Sequence, residues 1–193
     1  AIRDAIEACH KAGGGRVIIP AGAWLSGAIH LKSGVNLHVA EGSLVRFSTN
    51  SKDYPLVSTR WEGMECMNHS ALIYANGQKN IAITGSGKLD GQAAWDTWWA
   101  WNDKNKQKPT LQVAARNRLG EMAEKGVPVE QRVFGEGSFL RPNFIQFVRC
   151  ENLLIEGVTI ERSPMWILHP VLSNNITIRK VKVLSHGTNN DGC

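Results

Sequence analysis

The chain has 193 residues, with 22 Lys and Arg against 17 Asp and Glu, for a net charge of +5. That length suits one domain with a sizeable core, and the modest basic excess favours an anionic partner by long-range attraction. No dense Lys/Arg run or nucleic-acid motif accompanies it, which argues against nucleic acid and leaves an acidic polysaccharide as a fitting partner. The cysteines Cys9, Cys66, Cys150 and Cys193 form no Cys-x-x-Cys pair, so no metal site is expected. They are too sparse for a disulfide framework and read mostly as buried thiols. No stretch is apolar enough to span a membrane, and no cofactor motif is present.

In chain order, residues 2–12 place Ile2, Ala5, Ile6, Cys9 and Ala12 on one helical face. Gly13-Gly14-Gly15 ends that helix. A phosphate-binding loop has its glycines after a strand and before a helix; here the order is reversed. Ala1 falls in mid-helix, so the true start and any export signal are expected to be missing. Short β-rich runs then alternate with turns: 17–19, 28–31, 35–39, 44–47, 71–74, 80–83, 144–147, 153–155, 158–160, 176–178 and 181–183. β-Branched residues with frequent Gly or Asn breaks mark them as strands.

The strands carry a period. Asn followed by an aliphatic residue recurs at Asn36, Asn80, Asn152 and Asn175. The last spacing is 23 residues, the first reads as two turns of 22, and the middle one as 23 plus a surplus of 49 supplied by residues 92–140. A repeat of this length built from short strands predicts a parallel β-helix, with the Asn side chains stacked in a ladder. Leucine-rich repeats share the length but need a Leu-x-x-Leu-x-Leu frame that is missing. The whole of 1–193 reads as one incomplete β-helix domain, with an amino-terminal capping helix and one long excursion at about 92–140. That excursion holds Trp95, Trp98, Trp99 and Trp101 and a helix over 110–125 with Leu111, Ala114, Ala115, Leu119, Met122 and Ala123 as its apolar stripe.

The segment Ser185-His186-Gly187-Thr188-Asn189-Asn190-Asp191-Gly192 follows two strands of matching pattern. An isolated Asn-Asp-Gly is usually a hairpin turn. At the end of a coil it holds an acid where a substrate can meet it.

Several runs resemble the bacterial members of glycoside hydrolase family 28, the polygalacturonases and their relatives: Gly13–Val17 through Gly22, Leu31–Leu37, Thr59–Gly63, Leu89–Gln92, Arg141-Pro142, Ser163-Pro164 with Trp166 and His169–Val171, and Ser185–Gly192. The resemblance covers nearly the whole chain and departs from the usual pattern at Asn190, where Thr is common. It implies a right-handed parallel β-helix that hydrolyses α-1,4 bonds between galacturonic acid units in pectin with inversion, using three Asp. Asp191 matches the first, which activates water with a partner. The Asp-Asp, Gly-His-Gly and Arg-Ile-Lys elements of the family would lie beyond Cys193, so 1–193 alone is expected to be inactive. The substrate implies a secreted or periplasmic location.

Beside the catalytic candidate Asp191 stand five candidate substrate-binding residues. Asn189 either binds substrate or holds Asp191. His186 orients the loop or moves a proton. His169 either touches substrate or is a turn histidine. Arg60 and Trp61 suit a uronic acid, by bidentate pairing and ring stacking, or else anchor a loop. The Trp95–Trp101 cluster reads as packing of the excursion before it reads as sugar contact. Two further functions fit the fold: a pectate lyase, which needs Ca²⁺ and clustered acids, and a non-catalytic carbohydrate-binding β-helix.

Overall fold

A computed structural model describes residues 1–105 and 109–193. Positions 106–108, inside the expected excursion, lie outside the described residues. Helix α1 (Ile2–Lys11) is followed by a first coil of β1 (Gly15–Ile19), β2 (Gly22–Ser26) and β3 (Ile29–His30). The second coil holds β4 (Val35–Val39), β5 (Ser43–Phe47), a projecting hairpin β6–β7 (Leu56–Trp61, Met64–His69) and β8 (Ile73–Asn76). The third runs β9 (Lys79–Gly85), β10 (Lys88–Asp90), an excursion containing α2 (Leu111–Glu124) and β11 (Val133–Phe134), then β12 (Ile145–Val148). The fourth is β13 (Glu151–Glu156), β14 (Thr159–Glu161) and β15 (Leu168–Val171), and β16 (Asn174–Arg179) and β17 (Lys182–Leu184) begin a fifth.

Stacking is parallel throughout the coils. One sheet is β1-β4-β9-β13-β16, a second β2-β5-β10-β14-β17, a third β3-β8-β12-β15. This is the expected parallel β-helix. The inward residues of each strand, such as Val35, Leu37 and Val39 or Leu153 and Ile155, form one apolar column, each 2% exposed or less. Removing that surface from water is the main stabilising force. Helix α1 packs on β1, β3 and β4 through Ile6, Ile2 and Cys9 and covers the open end of the first coil.

The register corrects the expected period. Asn36 pairs with Ala82 in the adjacent strand, 46 residues on, so residues 36–80 form one coil and not two. The surplus is the antiparallel hairpin β6–β7, whose period-2 pattern is indistinguishable in sequence from coil strands. The ladder is likewise shorter than expected. Asn152 donates to Asn80 and Asn175 to Asn152, at 2.8 and 2.7 Å, but the position level with Asn80 in the preceding coil is Gly34. All four adopt positive φ (79° for Gly34; 55°, 58° and 52° for the asparagines), a conformation that Gly and Asn tolerate best. Asn36 lies two residues further on and accepts from the Thr84 hydroxyl instead. In α2 the buried face is Gln112, Ala115 and Leu119, while Leu111 and Ala114 are exposed. Of the expected stripe, Ala115 and Leu119 are on the buried face and Met122 packs against the same cluster, while Gln112 takes the place that Leu111 and Ala114 were expected to hold. Among the described residues no helix is long and apolar enough to cross a membrane.

Candidate active site

Both projections and the segment 185–192 leave the coil at the same corner, between the second sheet and the third. The hairpin lies between β5 and β8, the excursion between β10 and β12, and the acidic turn follows β17. The excursion therefore stands on the side of Asp191, and Trp98 and Trp99 of its cluster pack, as the cluster reads first in sequence. Trp98 is 1% exposed, between Tyr54 and Trp101. Trp99 is buried and donates from Nε1 to the Ser163 carbonyl at 2.8 Å.

Asp191 sits on a tied loop. Asn190 is the tie: its Oδ1 accepts from the Ser185 hydroxyl (2.6 Å) and the Gly187 amide (2.8 Å), and its Nδ2 donates to the carbonyls of Ser163 and Met165, both at 3.1 Å. A Thr in its place would have only one hydrogen to donate, against the two that the Asn190 amide uses here. Gly187 lies flat on Trp99, and a Cβ there would stand 2.1 Å from the indole. The Ile167 and Leu168 amides donate to the Asp191 and Gly192 carbonyls at 3.0 Å, which continues the third sheet. By the register of β12 and β15 this places Asp191 one coil above Trp166, about 4.8 Å away along the stack. A cavity of about 300 Å³ is lined by Trp166, Leu168, His169, Asp191 and Cys193.

His169 is held in one state. Gln146 Nε2 donates to the Arg60 carbonyl (3.0 Å), which fixes its amide orientation, and the same nitrogen lies 3.0 Å from His169 Nδ1. Nδ1 must therefore be the acceptor. Asn143 Nδ2 reaches it too, at 2.9 Å. The neutral ring then carries its proton on Nε2. Burial, with the charge of Arg60 in second place, holds the His169 pKa below its ordinary value. Trp166 packs edge-on against the ring, with centroids 4.9 Å apart. The result is a pre-set N–H donor in the cavity of Asp191.

The other candidates divide. Asn189, at φ 55°, accepts at Oδ1 from Asn102 (3.0 Å) and Arg141 (2.8 Å). Arg60 is half-buried on β6 beside His169. Trp61 is corrected: at 2% exposure, donating to the Arg141 carbonyl at 3.1 Å and packed among Cys66, Leu119 and Phe134, it anchors the hairpin and offers no face to a sugar. His186 is exposed, bonds to no described residue and does not line the cavity of Asp191. Sequence reasoning assigned no role to Arg141, quoted only within the Arg141-Pro142 run; fully buried, it donates to Gln112 Oε1, the Pro164 and Thr188 carbonyls and Asn189 Oδ1 at 2.7–3.1 Å. Nor did that reasoning single out Gln146 or Asn143. Among the described residues, no three His, Cys, Asp or Glu side chains converge as metal ligands do.

No family model matches the chain. It is 25% identical, over all of its length, to a probable polygalacturonase of Vitis vinifera, of which it covers 36%. Over 47% of its length it is 33% identical to an exo-poly-alpha-D-galacturonosidase of Dickeya chrysanthemi, covering 16% of that protein. Among solved structures, a hyperthermoactive exopolygalacturonase from Thermotoga maritima superimposes with a TM-score of 0.95 at 49% identity, over 99% of this chain and 44% of that one. The chain thus spans less than half the length of these relatives.

Proposed function

We propose, from the match of this chain to the polygalacturonase-like proteins of glycoside hydrolase family 28 in sequence and fold, that the protein hydrolyses α-1,4 bonds between galacturonic acid units of pectin with inversion. The carrying observation is Asp191, presented on a loop tied by Asn190 and stacked on Trp166 in a cavity that His169 shares. Asp191 takes the proton of the attacking water. Trp166 offers its exposed edge and face to a sugar ring. His169 Nε2–H and Arg60 are donors for an oxygen-rich, anionic substrate, and Asn189 keeps the loop in place through Oδ1 while its Nδ2 remains a donor. An inverting enzyme needs a second carboxyl about 6.5–9.5 Å from the first. Coils about 4.8 Å apart put an acid one or two coils from Asp191 within or near that window. The substrate is a polymer found outside cells, so the place of action is the periplasm or the medium.

The test is release of reducing ends from polygalacturonate by the intact protein, with the product anomer followed by NMR. Asp191→Asn is nearly isosteric but cannot accept the proton, so kcat falls by about 10²–10⁴-fold with the fold unchanged. Wild-type turnover in that variant refutes the assignment. A product with the ultraviolet absorbance of an unsaturated uronate refutes hydrolysis in favour of elimination.

A further inference from the structure

An outward-facing position of the third sheet runs His30, Tyr74, Gln146 and His169 in register, one residue per coil. Strand β6 of the hairpin lies over the middle of this column. Its alternate carbonyls are taken by successive members: Ser58 accepts from the Tyr74 hydroxyl and Arg60 from Gln146 Nε2. Under the hairpin Gln146 is 0% exposed. A buried amide persists where its donors and acceptor are paired. Thr59 donates its hydroxyl to Gln146 Oε1, and the two hydrogens of Nε2 go to the Arg60 carbonyl and to His169 Nδ1, both at 3.0 Å. The amide is fully satisfied, and the histidine is one of its partners.

That amide cannot be turned over. Reversed, Oε1 would face the Arg60 carbonyl oxygen, and two buried acceptors would meet with no hydrogen between them. Asn143, the other neighbour of Nδ1, has no such restraint. Its Oδ1 is buried without a partner among the described residues, so either end of its amide can meet the ring. Gln146 therefore decides which imidazole nitrogen carries the proton. The charged and titratable groups around His169 are Arg60 on β6 and Asp191 and Cys193 across the cavity. Burial and the Arg60 charge both disfavour a cationic ring, so the choice of nitrogen is made on a neutral one.

We propose that Gln146 is a positioning residue for this site: clamped between Thr59 and the Arg60 carbonyl, it fixes His169 as a neutral ring that offers Nε2–H in the cavity of Asp191. The hairpin thus sets the hydrogen-bonding sense of a group that it does not carry. The inference rests on the galacturonan reading above only for the substrate of its kinetic test. The direct test is nitrogen NMR of the intact protein with isotopically labelled histidine, with His169→Gln used to assign the resonances. Wild type at neutral pH shows Nε2 protonated and Nδ1 bare; the opposite tautomer overturns the proposal. Gln146→Glu inverts the sense with almost no change of shape. A carboxylate only accepts, so it draws the proton to Nδ1 and leaves a lone pair on Nε2, and it also raises the ring pKa. Above that raised value the ring is neutral with no N–H in the cavity. There kcat/KM on polygalacturonate falls about 10–100-fold below wild type, the worth of one hydrogen bond to a charged group. Below it the ring is an imidazolium with both nitrogens protonated, and the deficit shrinks. The ratio of variant to wild type therefore rises as pH is lowered from about 8.5 to about 5.5. A ratio that stays level across that range sinks the proposal, since a merely structural role does not follow the charge of one imidazole. Wild-type protein that fails to cleave polygalacturonate overturns the parent reading instead, and the tautomer seen by NMR still decides the inference.

Discussion

Replacing Asn190 by Ala asks whether the tie, and not the acid alone, makes Asp191 effective. The side chain makes four hydrogen bonds of 2.6–3.1 Å. At about 0.5–1.5 kcal/mol each their loss has a ceiling near 6 kcal/mol, but the partners are not all stranded. The Ser163 carbonyl keeps the Trp99 indole N–H at 2.8 Å, and the Met165 carbonyl keeps the Ser163 hydroxyl at 2.8 Å. The Ser185 hydroxyl and the Gly187 amide lie on a half-exposed loop where water can serve them. The net cost is therefore about 1–2 kcal/mol, which lowers Tm by roughly 2–8 °C in a domain of this size. The effect on turnover is larger, because a displacement of about 1 Å at a catalytic group costs on the order of 10²-fold. In steady-state kinetics on polygalacturonate with the intact protein, kcat falls by about that factor while KM moves less than about threefold. Asn190→Thr, which keeps one donor and an acceptor, falls between Ala and wild type. A Tm that drops while kcat stays within about twofold of wild type refutes the argument, because the tie would then serve stability without placing the acid.

Two other perturbations follow from the same loop. Gly187→Ala puts a Cβ 2.1 Å from the Trp99 ring; the indole must move away from the Ser163 carbonyl, at about 1–3 kcal/mol as for other overpacked sites, and thermal melting together with loss of turnover reads it. His169 gives a pH dependence whose sign is set: its folded pKa lies below the ordinary 6.5 because of burial and Arg60, so the unfolded chain binds the extra proton first. Its contribution to stability is complete above about pH 6.5 and is lost as pH falls through the lowered folded value. Protonation at Nδ1 also breaks the bonds from Gln146 and Asn143. Denaturant melts from pH 7.5 to 4.5 therefore show a loss at the acid end that His169→Gln reduces; an identical loss in the variant refutes the tautomer assignment.

The coil, the capping helix and the acidic turn were legible because each rests on local chemistry: Gly and Asn at left-handed positions, β-branched runs, apolar residues at helical spacing. The hairpin β6–β7 was not, since strands that pair with a neighbour in sequence and strands that pair a coil away share one alternation of side chains. The buried roles of Arg141, quoted only within the Arg141-Pro142 run, and of Gln112 were not legible for a different reason. Composition places Arg and Gln on the surface, and both are buried here because each satisfies the other and the loop at 188–189. Trp61 misled in the opposite sense: beside Arg it suits a sugar site, but its ring fills the space between the hairpin and α2, a contact over long sequence separation that no local pattern encodes.

The gathering of both projections and the acidic loop at one corner goes with how tightly the other two are built. Turns from the first sheet to the second hold two or three residues, and those from the third to the first hold two to four. At the first of these corners backbone packs on backbone: a Cβ on Gly85, at φ 110°, would stand 2.0 Å from the Val39 carbonyl oxygen. A corner stacked that closely admits no side chain at the Gly85 position and no inserted segment without opening the coil beneath it. At the corner between the second sheet and the third the chain departs for 25 residues between Phe47 and Ile73 and for 54 between Asp90 and Ile145. The two projections meet each other through Arg116 and Glu62 and through Arg141 and Trp61. They meet the acidic loop through Asn102, Trp99 and Arg141. A rigid stack thus sets Asp191 one coil above Trp166, and the corner where the chain departs supplies the walls around it.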